Sequence, residues 1–225
     1  MTGLPRSIVA RLDPRGRMEL IEDGARPGTG ACVDFRRIDL KGISTQPLVR
    51  ACGARGRLID ATAGLGGDSW ILAAAGFAVT SIERATPIAA VLDDGLSRAL
   101  QEPSIAKVAE RITLVVGEAK EILRTTVPPD ARSIATVYLD PMYPPKLGTA
   151  LAPKAIRLVR EVVGADPDSA ELFDVARSLG YGRVVVKRPH SADPLGVGVH
   201  HQVEGKLARF DVYLCARSPA SGRSS

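Results

Sequence analysis

Apolar and polar positions change their rhythm along this chain. From Thr45 onward, short β-rich runs alternate with stretches of helical periodicity. The runs Arg57-Leu58-Ile59-Asp60, Ala78-Val79-Thr80-Ser81-Ile82-Glu83, Ile112–Val116, Ile134–Leu139 and Arg183–Lys187 predict strands. Between them, apolar spacing predicts helices over about 68–75, from Pro87 through Ile88, Val91, Leu92 and Leu96, and over about 118–125, 153–163 and 169–179. Pro87 suits a first helical turn, where its missing N–H loses no partner. Such alternation predicts an α/β fold: a parallel sheet covered by helices on both faces, with ligands held beyond the C-terminal strand ends. The chain closes differently. His200-His201-Gln202-Val203, a Glu204-Gly205-Lys206 turn and Leu207–Leu214 predict a final antiparallel hairpin.

The segment before Thr45 has another texture. Ser7–Leu12 and Arg17–Ile21 flank the turn sequence Asp13-Pro14-Arg15-Gly16, which predicts a hairpin. A third short strand is expected through Ala31-Cys32-Val33-Asp34-Phe35, followed by a basic connector, Arg36-Arg37-Ile38-Asp39-Leu40-Lys41-Gly42. The organisation expected is a small N-terminal β extension over 1–44, the α/β domain over 45–217 and a disordered Ser/Gly/Arg-rich tail over 218–225.

Composition narrows the class. A chain of 225 residues, 45% hydrophobic and 24% charged, is long enough to bury one real core. No run approaches bilayer length and the N-terminus carries no long apolar stretch, so a cytoplasmic protein is expected. Cys32, Cys52 and Cys215 are odd in number and widely spaced, which argues against a disulfide framework and against a zinc site. His190, His200 and His201 have no acidic or cysteine partner at ligand spacing, so no metal is expected. The formal charge of +5 is distributed unevenly: residues 1–57 hold 11 basic and 6 acidic side chains, 58–139 hold 7 and 10, and 140–225 hold 12 and 9. Basic flanks of this kind suit a polyanionic partner.

Three loops carry the chemistry. Asp60-Ala61-Thr62-Ala63-Gly64-Leu65-Gly66-Gly67-Asp68 falls where a strand should end and a helix begin. Its glycines let the backbone turn sharply and pass close to a ligand, although a tight turn without a ligand would use the same residues. Asp68 occupies the place of the last glycine in the dinucleotide pattern, and a carboxylate there would repel a pyrophosphate. Asp60 and Asp68 instead suit the sulfonium and amino-acid end of S-adenosylmethionine. Glu83, at the end of the next strand, can accept hydrogen bonds from both ribose hydroxyls of an adenosine. Gly117-Glu118-Ala119 follows the third strand, where a backbone N–H and a polar side chain could meet the adenine.

The third loop is the most specific. Val137-Tyr138-Leu139-Asp140-Pro141-Met142-Tyr143-Pro144-Pro145-Lys146 ends an apolar strand in a proline-stiffened turn. It is similar to the Asp/Asn/Ser-Pro-Pro-aromatic loop of enzymes that methylate an exocyclic amino group of a base, with Met142 in place of the second proline. In that arrangement Tyr143 stacks on an extruded base while Asp140 and a carbonyl of the Pro141 loop accept its amino hydrogens. Lys187-Arg188, at the end of the fifth strand, would lie on the ligand edge of the sheet, within reach of RNA phosphate, as would Arg36, Arg37 and Lys146 from the basic flanks.

Taken together, Asp60–Asp68, Leu92-Asp93-Asp94-Gly95-Leu96, Val137–Pro144, Val184-Val185-Val186-Lys187-Arg188-Pro189 and Arg209-Phe210-Asp211-Val212-Tyr213 resemble the RsmJ family of bacterial small-subunit ribosomal RNA guanine-N2 methyltransferases. The likeness runs in order through roughly residues 57–214. It implies a class I, Rossmann-like S-adenosylmethionine-dependent methyltransferase sheet, and cofactor contacts at Gly67, Asp68, Glu83, Arg84, Glu118, Ala119 and Asp140; Asp60, Gly64 and Gly66 of the glycine loop are expected to bind the cofactor with them. The implied substrate is a guanine of 16S ribosomal RNA, free or in the 30S subunit. Two positions depart from the family pattern: Gly67 stands where an arginine is usual, and Glu118-Ala119 where small hydroxyl residues are more frequent. The alternatives are an amino-group methyltransferase acting on another RNA, DNA adenine or a protein amide, and a non-catalytic RNA-binding module of the same fold.

Overall fold

A computed structural model describes residues 7–142, 153–164 and 168–215. Seven strands form one sheet: β3 (Arg57–Asp60), β4 (Ala78–Glu83), β5 (Ile112–Val116), β6 (Thr136–Leu139), β7 (Arg183–Arg188), β8 (His201–Glu204) and β9 (Arg209–Leu214), in the order β5-β4-β3-β6-β7-β9-β8. The first five pair in parallel, and β9 runs antiparallel to both β7 and β8. Helices α1 (Pro47–Cys52), α2 (Gly67–Ala74), α3 (Thr86–Leu100), α4 (Ala106–Ala109), α5 (Ala119–Thr126), α6 (Lys154–Val163) and α7 (Ser169–Ser178) make the connections. The strand order reverses between β3 and β6, and the crevice this opens at their C-terminal ends is where a doubly wound sheet binds ligands.

The sheet is apolar because both its faces are covered. Leu58, Ile59, Val137, Tyr138, Leu139 and Val184–Val186 are all at most 1% exposed. Alternate residues of a strand face opposite ways, and the core divides accordingly: Ile59, Val137, Val184 and Val186 pack with α5 and α7, while Leu58, Tyr138, Val185 and Val212 pack with α1 and α2. Burying each such side chain contributes about 1.5–3 kcal/mol.

The N-terminal segment is docked on this body. Strands β1 (Ile8–Leu12) and β2 (Met18–Glu22) form the expected hairpin, its turn held by Asp13, which accepts the backbone N–H groups of Arg15 and Arg17 at 2.8 and 2.9 Å. The third strand expected over 31–35 does not form. Ala31 makes one isolated bridge to Leu20, and Phe35–Arg37 is a 3-10 turn capped by the Asp34 side chain. The reason lies in packing: the turn swings the Phe35 ring onto Trp70 of α2, the two stacked with centroids 4.2 Å apart. The Leu-Asp-Asp-Gly-Leu run on α3 receives the same segment. A side chain at Gly95 would lie 2.5 Å from Val33, and Asp94 orients Arg98, whose guanidinium donates to the Val33 carbonyl at 2.6 Å. Leu20, Val33 and Phe35 thus share one core with Trp70, Leu92 and Leu96. The tail expected from Ser218 lies outside the described residues. No helix among the described residues is long and apolar enough to cross a membrane.

Candidate active site

The crevice is a cleft of about 1110 Å³. Its floor is the C-terminal edge of β3, β4, β6 and β7, and α6, α7 and the turn before β9 contribute walls. Among the sequence-predicted residues, Asp60, Gly64, Gly67, Asp68, Glu83, Arg84, Glu118, Ala119, Asp140, Pro141, Lys187 and Arg188 line it.

The loop after β3 is fixed from behind. Asp60 is 1% exposed and accepts the Ser69 hydroxyl at 2.6 Å and the Thr62 N–H at 3.2 Å, with Ser81 donating to Ser69 at 2.7 Å. Burial pushes its carboxyl up to about 7, the Ser69 hydrogen bond opposing the shift. Asp60 thus holds the loop and also lines the cleft. Gly66 takes the left-handed conformation, φ 78°, as the residue before α2, and any side chain there would strike Leu92 at 2.5 Å. Gly66 therefore shapes the loop without lining the cleft.

The end of β4 carries an acceptor already half engaged. Glu83 is 6% exposed; one carboxylate oxygen accepts the Gly64 N–H at 2.9 Å and the other the Ala85 N–H at 2.7 Å. Burial pushes its carboxyl above the ordinary glutamate range against those donors. A carboxylate has about four acceptor positions, and with the Arg84 backbone N–H also bonded to Glu83 the capacity left faces a ligand hydroxyl. Beside it, Arg84 pairs with Asp168 at 3.0 Å and lies 3.9 Å from Glu118, closing that side of the cleft.

The floor beneath β6 and β7 holds a charged cluster. Lys187 Nζ donates to Asp68 at 2.9 Å and to Asp140 at 2.8 Å, and the Tyr138 hydroxyl donates to Asp68 at 2.5 Å. The Asp140 N–H donates to Thr62 Oγ1 at 2.7 Å, tying the two loops together. Burial pushes the Asp140 carboxyl up to about 6, with Lys187 pulling it down and Asp68 pushing it up. For Lys187, burial opposes the charge, but the two carboxylates prevail and its pKa is raised. Two carboxylates against one ammonium leave this floor net negative, which fits a bound sulfonium cation. Apolar Leu65, Ala119 and Leu172 supply walls that fit an adenine.

Some expectations are redistributed by the structure. Lys187 and Arg188, expected at RNA phosphate, both turn inward: Lys187 is held by the carboxylates, and Arg188 is 9% exposed and donates to the Asp193 carbonyl. Arg36 and Arg37 are exposed beside Asp34, at side-chain exposures of 60% and 83%. Tyr143 and Lys146 lie outside the described residues. Thr62 and Tyr138 were not singled out from the sequence, and neither were the α6 residues on the cleft wall. Thr62 had a signal in its place inside the glycine loop; Tyr138 read only as a buried strand residue. Among the described residues no group of three or more His, Cys, Asp or Glu side chains could hold a metal.

Comparison with known proteins agrees with this geometry. Residues 29–215 match a family described as "Putative SAM-dependent methyltransferase". The protein named ribosomal RNA small subunit methyltransferase J from Thioalkalivibrio sulfidiphilus is 44% identical over 183 residues, covering 79% of this chain and 70% of that protein. The protein of the same name from Agrobacterium fabrum is 43% identical over 177 residues, covering 75% and 82%. The one from Pseudomonas paraeruginosa is 41% identical, and this chain spans 64% of its length. A solved SAM-dependent methyltransferase from Neisseria gonorrhoeae superposes with a TM-score of 0.66 at 30% identity, covering 98% of this chain and 88% of its own.

Proposed function

The chain belongs to the S-adenosylmethionine-dependent methyltransferase family, in the group of the ribosomal RNA small subunit methyltransferases J, and from that premise we propose that it methylates the exocyclic N2 amino group of a guanine in 16S ribosomal RNA. The observation that carries the reading is the placement of Asp140-Pro141 beside the loop after β3. Asp140 meets both Lys187 and Thr62 there, at the point where the strand order reverses.

S-adenosylmethionine, when bound, supplies an electrophilic methyl group on a sulfonium. Glu83 would hold the ribose, the Gly64–Asp68 loop the amino-acid end, and Glu118 and Ala119 the adenine edge. The guanine amino nitrogen is a poor nucleophile because its lone pair is delocalised into the ring. Asp140 would accept one amino hydrogen and a loop carbonyl at Pro141 the other, which favours a pyramidal nitrogen with its lone pair directed at the methyl. Lys187 occupies one Asp140 oxygen and so aims the carboxylate. Tyr143 would stack on the base. Arg36, Arg37 and Lys146 would meet the RNA backbone; Arg37 borders a surface depression shared with Lys154 and Ala155, and Ala155 also lines the cleft. A cytoplasmic setting follows from a ribosomal substrate.

The test is direct. The protein is incubated with labelled S-adenosylmethionine and small subunits lacking the modification, and the labelled nucleotide is mapped by mass spectrometry. N2-methylguanine in 16S RNA is expected; label on adenine, ribose or ribosomal protein contradicts the proposal.

A further inference from the structure

The motif Arg209-Phe210-Asp211 has no part in the chemistry above, yet it is among the most heavily bonded features of the molecule. Arg209 is 6% exposed and uses all five of its N–H groups: on Asp211 at 2.8 and 3.2 Å, and on the carbonyls of Pro189, His190 and Ala192 at 3.1, 2.8 and 2.6 Å. His190 adds a second link, its Nδ1 lying 2.9 Å from Glu204 at the end of β8. The turn between β8 and β9 is closed by the Gly205 N–H on the Ala208 carbonyl at 2.9 Å. This bracing fixes the hairpin tip relative to the loop that follows Lys187 and Arg188.

What the bracing presents is an exposed apolar side chain. Leu207 is 88% exposed, and both it and Ala208 line the cleft. Val197 is more exposed still, at 93%, but does not line the cleft, so position rather than exposure distinguishes Leu207. The same cleft is lined by Ile156 of α6, 44% exposed, together with Arg157 and Arg160. The Arg160 Nε is buried with no hydrogen-bond partner among the described residues. A braced apolar tip and cations lining one cleft fit a ligand with stackable faces and an anionic backbone.

Resting on the RNA reading above, we propose that the β8–β9 turn is a wedge for the RNA substrate. Leu207 enters the space an extruded guanine vacates, while Arg157 and Arg160 hold the flanking phosphates. An enzyme that acts on a base within a stacked strand must take the base out of the stack. Proteins that open such stacks commonly do so with an inserted apolar side chain. The Arg209–Asp211 pair serves as the positioning element that keeps the wedge in register with the cleft.

The experiment compares Leu207→Ala, Leu207→Met and wild type in single-turnover methylation of small subunits lacking the modification, with S-adenosylmethionine affinity measured by calorimetry and oligomeric state by sedimentation. Leu207→Ala is expected to slow transfer about tenfold or more. Its cofactor affinity and sedimentation should be unchanged, and Leu207→Met should regain most of the rate because it restores apolar volume. Equal rates for wild type and Leu207→Ala overturn the wedge while leaving the ribosomal reading intact. A change in sedimentation with Leu207→Ala also overturns it, assigning the tip to contact between copies of the chain. A wild-type protein silent on small subunits overturns the ribosomal reading first, and the wedge with it.

Discussion

Lys187 of β7 and Asp140, the residue that follows the parallel neighbour β6, meet at 2.8 Å on the cleft floor. The pairing sets the working state of the carboxylate. With Lys187 in place, the Asp140 carboxyl is pushed up only to about 6 and is ionised at neutral pH, the form in which both oxygens accept and the carboxylate best stabilises an amino hydrogen.

Removing the ammonium should therefore show in the pH profile. In Lys187→Met, burial and the Asp68 carboxylate remain while the attraction is gone, so the Asp140 pKa rises further. The rate, which needs the ionised form, should fall below about pH 6 in the wild type and at a distinctly higher pH in the variant, with a loss at neutral pH on the order of tenfold to a hundredfold. Single-turnover methylation across the pH range measures both. A loss that is the same at every pH would give Lys187 a role other than tuning Asp140.

Glu83 should matter twice. Glu83→Ala removes the proposed ribose acceptor and also the acceptor of the Gly64 and Ala85 N–H groups. A loss of about 1–3 kcal/mol in S-adenosylmethionine binding is expected. Glu83→Gln, which keeps one acceptor oxygen, should lose less. Calorimetric titration decides, and unchanged affinity in the alanine variant would move the ribose contact elsewhere.

Asp60 gives a stability prediction with a definite sign. Its carboxyl titrates at about 7 when folded and near 3.9 when unfolded, so its ionisation opposes folding. The penalty is absent below the unfolded value, grows as pH rises between the two and is complete above the folded one. Asp60→Asn keeps an acceptor for the Thr62 N–H and can donate to Ser69. Relative to wild type it should gain stability from pH 5 to pH 8 by on the order of a few kcal/mol. Urea unfolding at the two pH values measures the difference; a constant gap would place the ionisation elsewhere.

Tyr143 is assigned a stacking role, for which a ring suffices. Tyr143→Phe should keep most activity, whereas Tyr143→Ala should lose about 1–3 kcal/mol of substrate positioning. A dead Tyr143→Phe enzyme in single-turnover assays would transfer the function to the hydroxyl.

The sheet and its loops were legible because their signals are local. The apolar runs at Leu58-Ile59 and Val184–Val186 mark strands buried on both faces, and Asp60–Asp68 marks a turn into a helix whatever surrounds it. The strand expected at 31–35 failed because its decisive contact is remote: Phe35 stacks on Trp70, and nothing near Phe35 announces that partner. The short α1 and α4 carry too few turns to show a period. Lys187 was expected at the ligand edge and lines the cleft, but its partners lie 119 and 47 positions away: the pairing of β6 with β7 brings Asp140 to it, and the start of α2 brings Asp68. Asp60 is conspicuous in the sequence as a carboxylate at a strand end, and it lines the cleft; the Ser69 and Ser81 hydroxyls behind it carry no such signal.

The central claim is that Asp140 activates a guanine amino group of small-subunit RNA. The measurement that tests it most directly is the yield of N2-methylguanine in a single turnover on unmodified small subunits, at saturating S-adenosylmethionine, for wild type and Asp140→Ala. Wild type should give the modified guanine, and the variant should form it slower by on the order of a hundredfold or more while still binding the cofactor at the concentration used. Equal rates, or methylation at an atom other than N2, would contradict the account.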